Sequence, residues 1–457
     1  MVPSPAVTGS PHPAVALYER HVNPAFVRLL GVLGYGRVMT RAQGVWLWDH
    51  EGRRYLDALA GFGSVNLGHN HPRLLARLAD VLRAEALHFC HTGPAVGAAE
   101  LGAALAARLA PPLEIALLSS SGADAVEAGI KLARAATRRH DVIYCEGGFH
   151  GTSLGTLSIM GAPRMRGPFE PLFPGFRAIP FGQLAPLERA LAGRRAAAFV
   201  VEPLQAEAGV ILPPPGYLAE AQALCRRAGT VLVLDEVQTG LGRTGTRWAY
   251  QREGFTPDVI VLAKALSGGV MPVAATVTSR ELHERAYGAL DRFDLHSSTF
   301  GGGALACAAA LETLAIVDDE KLPERAAAGG ERLLGGVRRA LTGHPLVKAV
   351  RGRGLLVAIE LGGAAGGLRG LVVDRLSERL LGQWVAVKLL ERGVVCQPAS
   401  HAWNVLKLEP PLTIADEQID ELVAAVAAAL EDCRDVARTL AEVALRVGKQ
   451  WRQGWAF

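Results

Sequence analysis

The amino-acid sequence predicts an α/β protein: a mainly parallel sheet covered by helices on both faces, followed by a smaller α+β unit. Three observations lead there. Short, continuously apolar runs recur at Ala116-Leu117-Leu118, Val142-Ile143-Tyr144, Ala198-Phe199-Val200-Val201, Val231-Leu232-Val233-Leu234 and Val259-Ile260-Val261-Leu262, the form of strands buried on both faces. Between them lie stretches rich in Ala, Leu and Arg with helical spacing. Four of the runs lead into polar groups, namely Ser119-Ser120-Ser121-Gly122, Glu202, Asp235-Glu236 and Lys264. Ligands of such sheets collect there, at the carboxyl ends of the strands.

Taken in order, the first dozen residues, rich in Pro, Ser and Gly, read as a frayed arm. Residues 45–58 alternate in polarity around Glu51-Gly52 and predict a hairpin, followed by the Gly-rich Gly61-Phe62-Gly63. After the α/β region, a helix is expected from Pro323 to about Leu341, then strands at Gly354–Glu360 and Gly393-Val394-Val395. A long Ala/Leu helix follows near Ala415, with Asp416 as its cap. Gly362–Gly367 reads as a surface loop, and the last twenty or so residues as a basic amphipathic tail packed on the body or on a partner subunit. The expected divisions are 1–75, an N-terminal arm and a segment joining the small domain; 76–325, a large domain; 326–435, a C-terminal small domain; and 436–457, a tail.

Composition narrows the function classes. With 50% hydrophobic and 20% charged residues the chain is an ordinary globular enzyme in make-up, long enough for a large core. Lys and Arg number 48 against 44 Asp and Glu, and no basic block occurs, so no nucleic-acid partner is expected. No apolar stretch reaches the roughly 20 residues that cross a bilayer, and Met1–Pro5 lacks the basic start and apolar run of a secretory signal. The six cysteines (Cys90, Cys145, Cys225, Cys307, Cys396, Cys433) form no C-x-x-C pair. They read as reduced core thiols of a cytoplasmic protein, with no zinc spacing and no metal site expected.

The chemistry begins with Asp235 and Lys264, each just past a buried run and so at the same edge of the sheet. The pair is either a structural ion pair or the combination that pyridoxal 5′-phosphate (PLP) requires. In the second case the amine forms a Schiff base with the cofactor aldehyde, and the carboxylate keeps the pyridine nitrogen protonated. A shielded lysine also has a lowered pKa, which makes it a nucleophile and a base. Ser119–Asp124 follows a strand and opens a helix, an arrangement that binds phosphate or merely caps the helix. Phe149-His150 after Gly147-Gly148 offers an aromatic ring for stacking or for core packing. His296–Gly303, with Ser298 and Thr299, is a second candidate for phosphate or simply a turn. Gly31–Gly36 has the wrong spacing for a dinucleotide loop. Gly151-Thr152-Ser153-Leu154-Gly155 is displaced from its strand, which argues against a nucleophile elbow.

Together, Ser121–Glu127, Gly148–Gly151, Glu202–Glu207, Leu234–Gly240, Leu262–Leu266 and Ser298–Gly302 resemble, in order and spacing, the class III (ornithine/ω-amino acid) aminotransferases. Lys264 follows Asp235 by 29 residues, one strand–helix–strand step. The resemblance runs from about residue 14 to 430. Within the class it is greatest to the putrescine aminotransferases, through Gly61-Phe62-Gly63, Pro174–Arg177, Gly209–Tyr217, Gly268–Pro272 and Leu408–Leu412.

The resemblance implies the PLP-dependent fold type I, with a seven-stranded sheet in the large, PLP-binding domain. It implies Lys264 as the Schiff-base lysine and proton carrier, Asp235 on the pyridine nitrogen, Gln238 on the ring hydroxyl and Phe149 stacked on the ring. Ser121, Gly122, Ala123, His150, Glu202 and Ser298 would complete the cofactor site, with Thr299 reaching the phosphate from the neighbouring subunit of a homodimer. Phe62, Lys407 and Glu207, the last as gate, would meet the substrate. Lys407 stands where the family usually has Arg, and so keeps the charge but loses the two-pronged grip on a carboxylate. Gly303, Ala206 and Ser120 replace a usual Asn, Gly and Asn.

The expected activity is ping-pong transfer of an amino group through pyridoxamine phosphate. The donor would be glutamate or a terminal diamine such as putrescine, and the acceptor an aldehyde, ketone or 2-oxo acid. One alternative is a biosynthetic ω-transaminase that aminates a bulky carbonyl precursor. Others are an aminomutase, racemase or decarboxylase on the same fold, or a cofactor-free binding protein.

Overall fold

The computed structural model describes residues 12–33, 37–89, 92–362, 381–435, 442 and 445. The N-terminal arm, Cys90, most of the expected Gly362–Gly367 loop and nearly all of the tail lie outside the described residues.

Seven strands form the central sheet: β4 (Ile115–Ser119), β5 (Asp141–Cys145), β6 (Phe176–Ile179), β7 (Ala196–Val201), β8 (Val231–Asp235), β9 (Val259–Leu262) and β10 (Ala274–Thr278). Their spatial order is β4-β10-β9-β8-β7-β5-β6. The β9–β8–β7–β5–β6 pairs are parallel, and β10 runs antiparallel to both its neighbours. The apolar runs are continuous in the inner strands β5, β7, β8 and β9 because these are buried on both faces, whereas the edge strand β6 is partly exposed. Val231 and Val233 pack with the helices Gly122–Thr137 and Arg280–Tyr287. Leu232 and Leu234 point the other way, into the helices Tyr217–Ala228 and Ala304–Asp319. The period of two places successive side chains on opposite faces.

A second sheet holds β1 (Met39–Gln43), β2 (Trp46–Asp49) and β3 (Arg54–Asp57). β2 and β3 form the expected hairpin, and β3 pairs in parallel with the distant β13 (Val394–Val395). The third sheet has the order β11 (Val347–Arg353), β12 (Leu356–Leu361), β15 (Val405–Leu408), β14 (Gln397–Pro398). It packs with the helices Leu322–Ala340 and Asp416–Asp432 and with helical residues 381–391. The helix at 416 differs in one detail from expectation. Ala415 is its N-cap and Asp416 its first residue, and the Gln418 side chain accepts from the Ala415 N–H at 2.8 Å. The carboxylate of Asp416 thus meets the positive end of the helix from inside the first turn.

Arg243, fully buried, ties three chain segments together. Its Nη1 donates to the carbonyls of Leu355 (2.8 Å) and Pro410 (2.6 Å), and its Nη2 to Asn66 Oδ1 (2.6 Å). Five cysteines are described, all buried and free. Among the described residues no helix is long and apolar enough to cross a membrane.

Candidate active site

The carboxyl ends of β4, β5, β7, β8 and β9 converge on one cavity of about 530 Å³. Ser121, Gly122, Ala123, Phe149, His150, Glu202, Asp235, Gln238 and Lys264 all line it. Residues from Ser64 and from Val270-Met271-Pro272, beside the sheet, close it further.

Asp235, the last residue of β8, is buried. Its Oδ2 lies 2.8 Å from His150 Nδ1, and its Oδ1 accepts from the Val237 N–H at 3.0 Å. Burial disfavours a charged His150, but the hydrogen bond and charge of Asp235 outweigh it and raise the imidazole pKa. Lys264 follows β9 by two residues. Its φ of 47° is left-handed, a conformation that costs a residue with a Cβ about 1–3 kcal/mol and is found at functional sites. Lys264 Nζ donates to Gln238 Oε1 at 2.7 Å. Burial lowers its pKa even though Glu207, Glu409 and Asp235 oppose the shift.

The phosphate candidate is a true helix start. Ser121 is the N-cap of Gly122–Thr137 and its Oγ accepts from the Asp124 N–H at 3.2 Å. The N–H groups of Gly122 and Ala123 belong to the first turn, where the helix supplies no acceptor. Packing is tight at Gly122: a Cβ there would lie 3.2 Å from Val237 Cγ1, so Val237 would have to give by a few tenths of an ångström. Phe149 donates its N–H to Glu202 Oε2 (3.2 Å), and its ring lies 5.7 Å from that of His401. Ser298 joins the rim through its Oγ, 3.4 Å from Ser120 Oγ. Thr299 is exposed and outside the cavity lining of its own chain.

Three residues expected at the substrate sit behind or beside the cavity. Lys407 is fully buried on β15. Its Nζ pairs with Glu207 Oε1 and lies 3.6 Å from Glu409 Oε2. The ring of Phe62 stands 5.4 Å from the same Nζ. Glu207 Oε2 accepts from Ser400 N (3.0 Å) and Ser400 Oγ (2.6 Å). Burial opposes ionisation of Glu207, yet Lys407 and then Lys264 bring its pKa down to about 2. Burial likewise opposes the Lys407 charge, but Glu409 and Glu207 carry its pKa above the ordinary lysine value. Phe62 belongs to an unusual turn: Ala60, Gly61, Phe62 and Gly63 all have positive φ (46°, 58°, 57° and 78°).

Sequence reasoning missed Glu409, Ser400, His401 and Ser64 as site residues. Only Glu409 had a readable signal, since it follows Lys407 by two residues, one past the end of β15, and so continues the same face.

Glu202 is pushed up to about 8 by burial, with the nearby His150 acting against the shift. The native state therefore holds this proton between about pH 4.5 and about 8, whereas the unfolded chain has released it. This contribution is fully present below pH 4.5 and is lost as pH rises through 8. Glu202→Gln is expected to flatten the fall in the apoprotein's thermal midpoint across that window, and an unchanged slope would place the titration elsewhere.

These groups match PLP by donor chemistry: an amine in a shielded site, a buried carboxylate at a sheet end, free N–H groups at a helix start and an aromatic ring. Among the described residues no cluster of three or more His, Cys, Asp or Glu suits a metal ion. The family model described as aminotransferase class III matches residues 33–430. The ornithine aminotransferase of Toxoplasma gondii is 32% identical, with 87% of this chain and 92% of that one covered and a TM-score of 0.79; its active site holds PLP at partial occupancy. The acetylornithine aminotransferase of Elizabethkingia anophelis is 30% identical over 93% of this chain and 100% of that one, TM-score 0.76. A Bacillus anthracis aminotransferase is 27% identical over 92% and 98%, TM-score 0.82. With the fold, the cavity and the match over most of its length in agreement, this chain belongs to the class III aminotransferases and is a PLP-dependent enzyme.

Proposed function

We propose that the enzyme transfers the amino group of a terminal amine, a diamine such as putrescine being the type, to an aldehyde, ketone or 2-oxo acid. Lys264 and Asp235 leaving neighbouring strands onto one cavity carries the catalytic part of this reading. The donor part rests on Lys407, which is buried against Glu207 and Glu409 and so offers no free cation to an α-carboxylate. Amination of a bulky carbonyl precursor remains the second reading, favoured by the same observation.

Bound PLP supplies an electrophilic carbon and an electron-withdrawing ring. Lys264 Nζ is the amine that holds it; its lowered pKa enlarges the neutral, nucleophilic fraction. Freed from the cofactor, Nζ would be the base positioned to move a proton at the substrate carbon. Asp235, its carboxylate held by His150, would face the ring nitrogen. Gly122 and Ala123 would offer backbone N–H groups to the phosphate, with hydroxyls from Ser121 and Ser298. Phe149, its N–H on Glu202, would supply the aromatic face. Glu207 stands at the substrate side, held by Ser400 and Lys407.

We place Thr299 in the partner's site of a homodimer. Its exposure supports this, as does the exposed apolar surface of Leu290, Phe293, Leu295 and Phe300 around it.

The test is a set of half-reactions on the PLP-loaded protein. Terminal amines are expected to bleach the visible cofactor band while glutamate acts slowly, on a protein that sediments as a dimer. Bleaching by α-amino acids alone refutes the donor assignment, and a monomer refutes the shared site.

A further inference from the structure

Gln238 makes direct contact with both Lys264 and the buried carboxylates behind the cavity. Its Nε2 donates to Glu409 Oε1 (3.0 Å) and Oε2 (3.1 Å) and faces Glu207 Oε1 at 3.3 Å. Its Oε1 accepts from Lys264 Nζ at 2.7 Å. The amide cannot be turned over: doing so would set its oxygen against two carboxylates and its NH₂ against an amine.

Glu409 is held firmly in its own place. It is fully buried, its N–H donates to the carbonyl of Ala58 at 2.8 Å, and its carboxylate pairs with Lys407. Gly63 leaves the space it occupies, since a Cβ there would lie 2.5 Å from Glu409 Oε1.

We propose that Glu409 is a positioning residue that fixes the polarity of the Gln238 amide, so that Gln238 presents an acceptor, not a donor, to Lys264 Nζ. This rests on Lys264 holding the cofactor as proposed above. An acceptor beside the lysine–cofactor linkage favours the proton on that linkage and raises the pH at which it is lost. Other charges also face Lys264: Asp235 from β8, Glu207 from the segment after β7, and Lys407 and Glu409 from β15 and its end. Arg243 acts on Glu409 from behind. The test therefore has to separate amide polarity from plain charge.

The readout is the pH titration of the visible absorbance of the protein saturated with PLP. Glu409→Leu removes both the charge and the anchor of the amide, and is expected to lower the midpoint by about one pH unit. In a Gln238→Leu background the same change is expected to move it by less than half as much. Glu409→Gln, which packs as the native residue does and keeps an oxygen for Gln238 Nε2, is run in both backgrounds and moves the midpoint less than leucine does. A shift of equal size with and without Gln238, in whichever variant folds, means that Glu409 acts by charge alone and overturns the proposal. So does a midpoint that ignores both substitutions while the wild type shows its cofactor band. A wild type with no visible band overturns the cofactor assignment of Lys264 together with this inference.

Discussion

Lys264→Ala is expected to reduce turnover by about 10⁴-fold or more while leaving the protein folded. Positioned proton transfer alone contributes roughly 10²–10⁴-fold, and this substitution also removes the nucleophile. Lys407 cannot replace it, because its Nζ is buried and held by Glu207 and Glu409. Stability should change little, because relief of the buried amine offsets the lost hydrogen bond to Gln238 and the lost support of the Glu207 charge. The folded protein lowers the Lys264 pKa through burial, so the neutral amine's contribution is complete only above the ordinary lysine value of 10.5 and is lost as pH falls through the folded pKa. At neutral pH the buried group is therefore a cost that alanine removes. Single-turnover bleaching with an excess of donor, alongside thermal unfolding of the apoprotein, checks both halves. Turnover within tenfold of the wild type would remove Lys264 from the mechanism.

Lys407→Leu has the largest expected effect on stability. It leaves Glu207 and Glu409 buried with no cation between them, and breaking a buried pair from one side costs about 3–5 kcal/mol. The pH dependence is specific. Glu207 has a pKa of about 2 in the native protein against an ordinary 4.5. A lowered carboxylate contributes stability that is present above pH 4.5 and disappears as pH falls through 2. The gap between wild type and variant should thus be full at pH 7 and shrink in acid. Lys407→Arg keeps the charge and should cost less, limited by fitting a guanidinium into a fully buried position. Thermal unfolding of the three apoproteins at pH 7 and pH 4 measures this. An unaltered midpoint for Lys407→Leu at pH 7 would mean that the carboxylates are not held by this lysine.

Five strands of the large sheet were legible in the sequence, because strands buried in the middle of a sheet are written as unbroken apolar runs; β6, partly exposed at the edge and carrying Arg177, was not. The same pattern exposed Asp235 and Lys264, since polarity returns where each strand leaves the core. The antiparallel sense of β10 was not legible: direction depends on how Gly268–Pro272 turns, and nothing in Ala274–Thr278 records it. Strand β11 escaped notice because Lys348, Arg351 and Arg353 interrupt it; it lies at the edge of its sheet and is half exposed. The charge cluster was half legible. Lys407 stood out against the family pattern, but its partners lie 200 residues away at Glu207 and next to it at Glu409, and only the fold brings Gln238 between them. Ser400 and His401 sit in a loop whose sequence has no signature; their importance comes from what they touch.

The turn from Ala60 to Gly63 has a consequence for how this site can vary. A side chain at Gly61 would be opposed by its backbone angle and by Ser64 Oγ, 2.5 Å from where the Cβ would stand. Gly63 is opposed in the same two ways, with Glu409 in the second role. Ala60 is fully buried. Mutational drift through this stretch is thereby narrowed to position 62, which already carries a side chain at its left-handed φ of 57° and so can exchange it for another without a β-branch. Phe62 is the face this stretch turns toward Lys407, so a change there alters what meets the buried Lys407 one residue at a time, on a backbone that stays as it is.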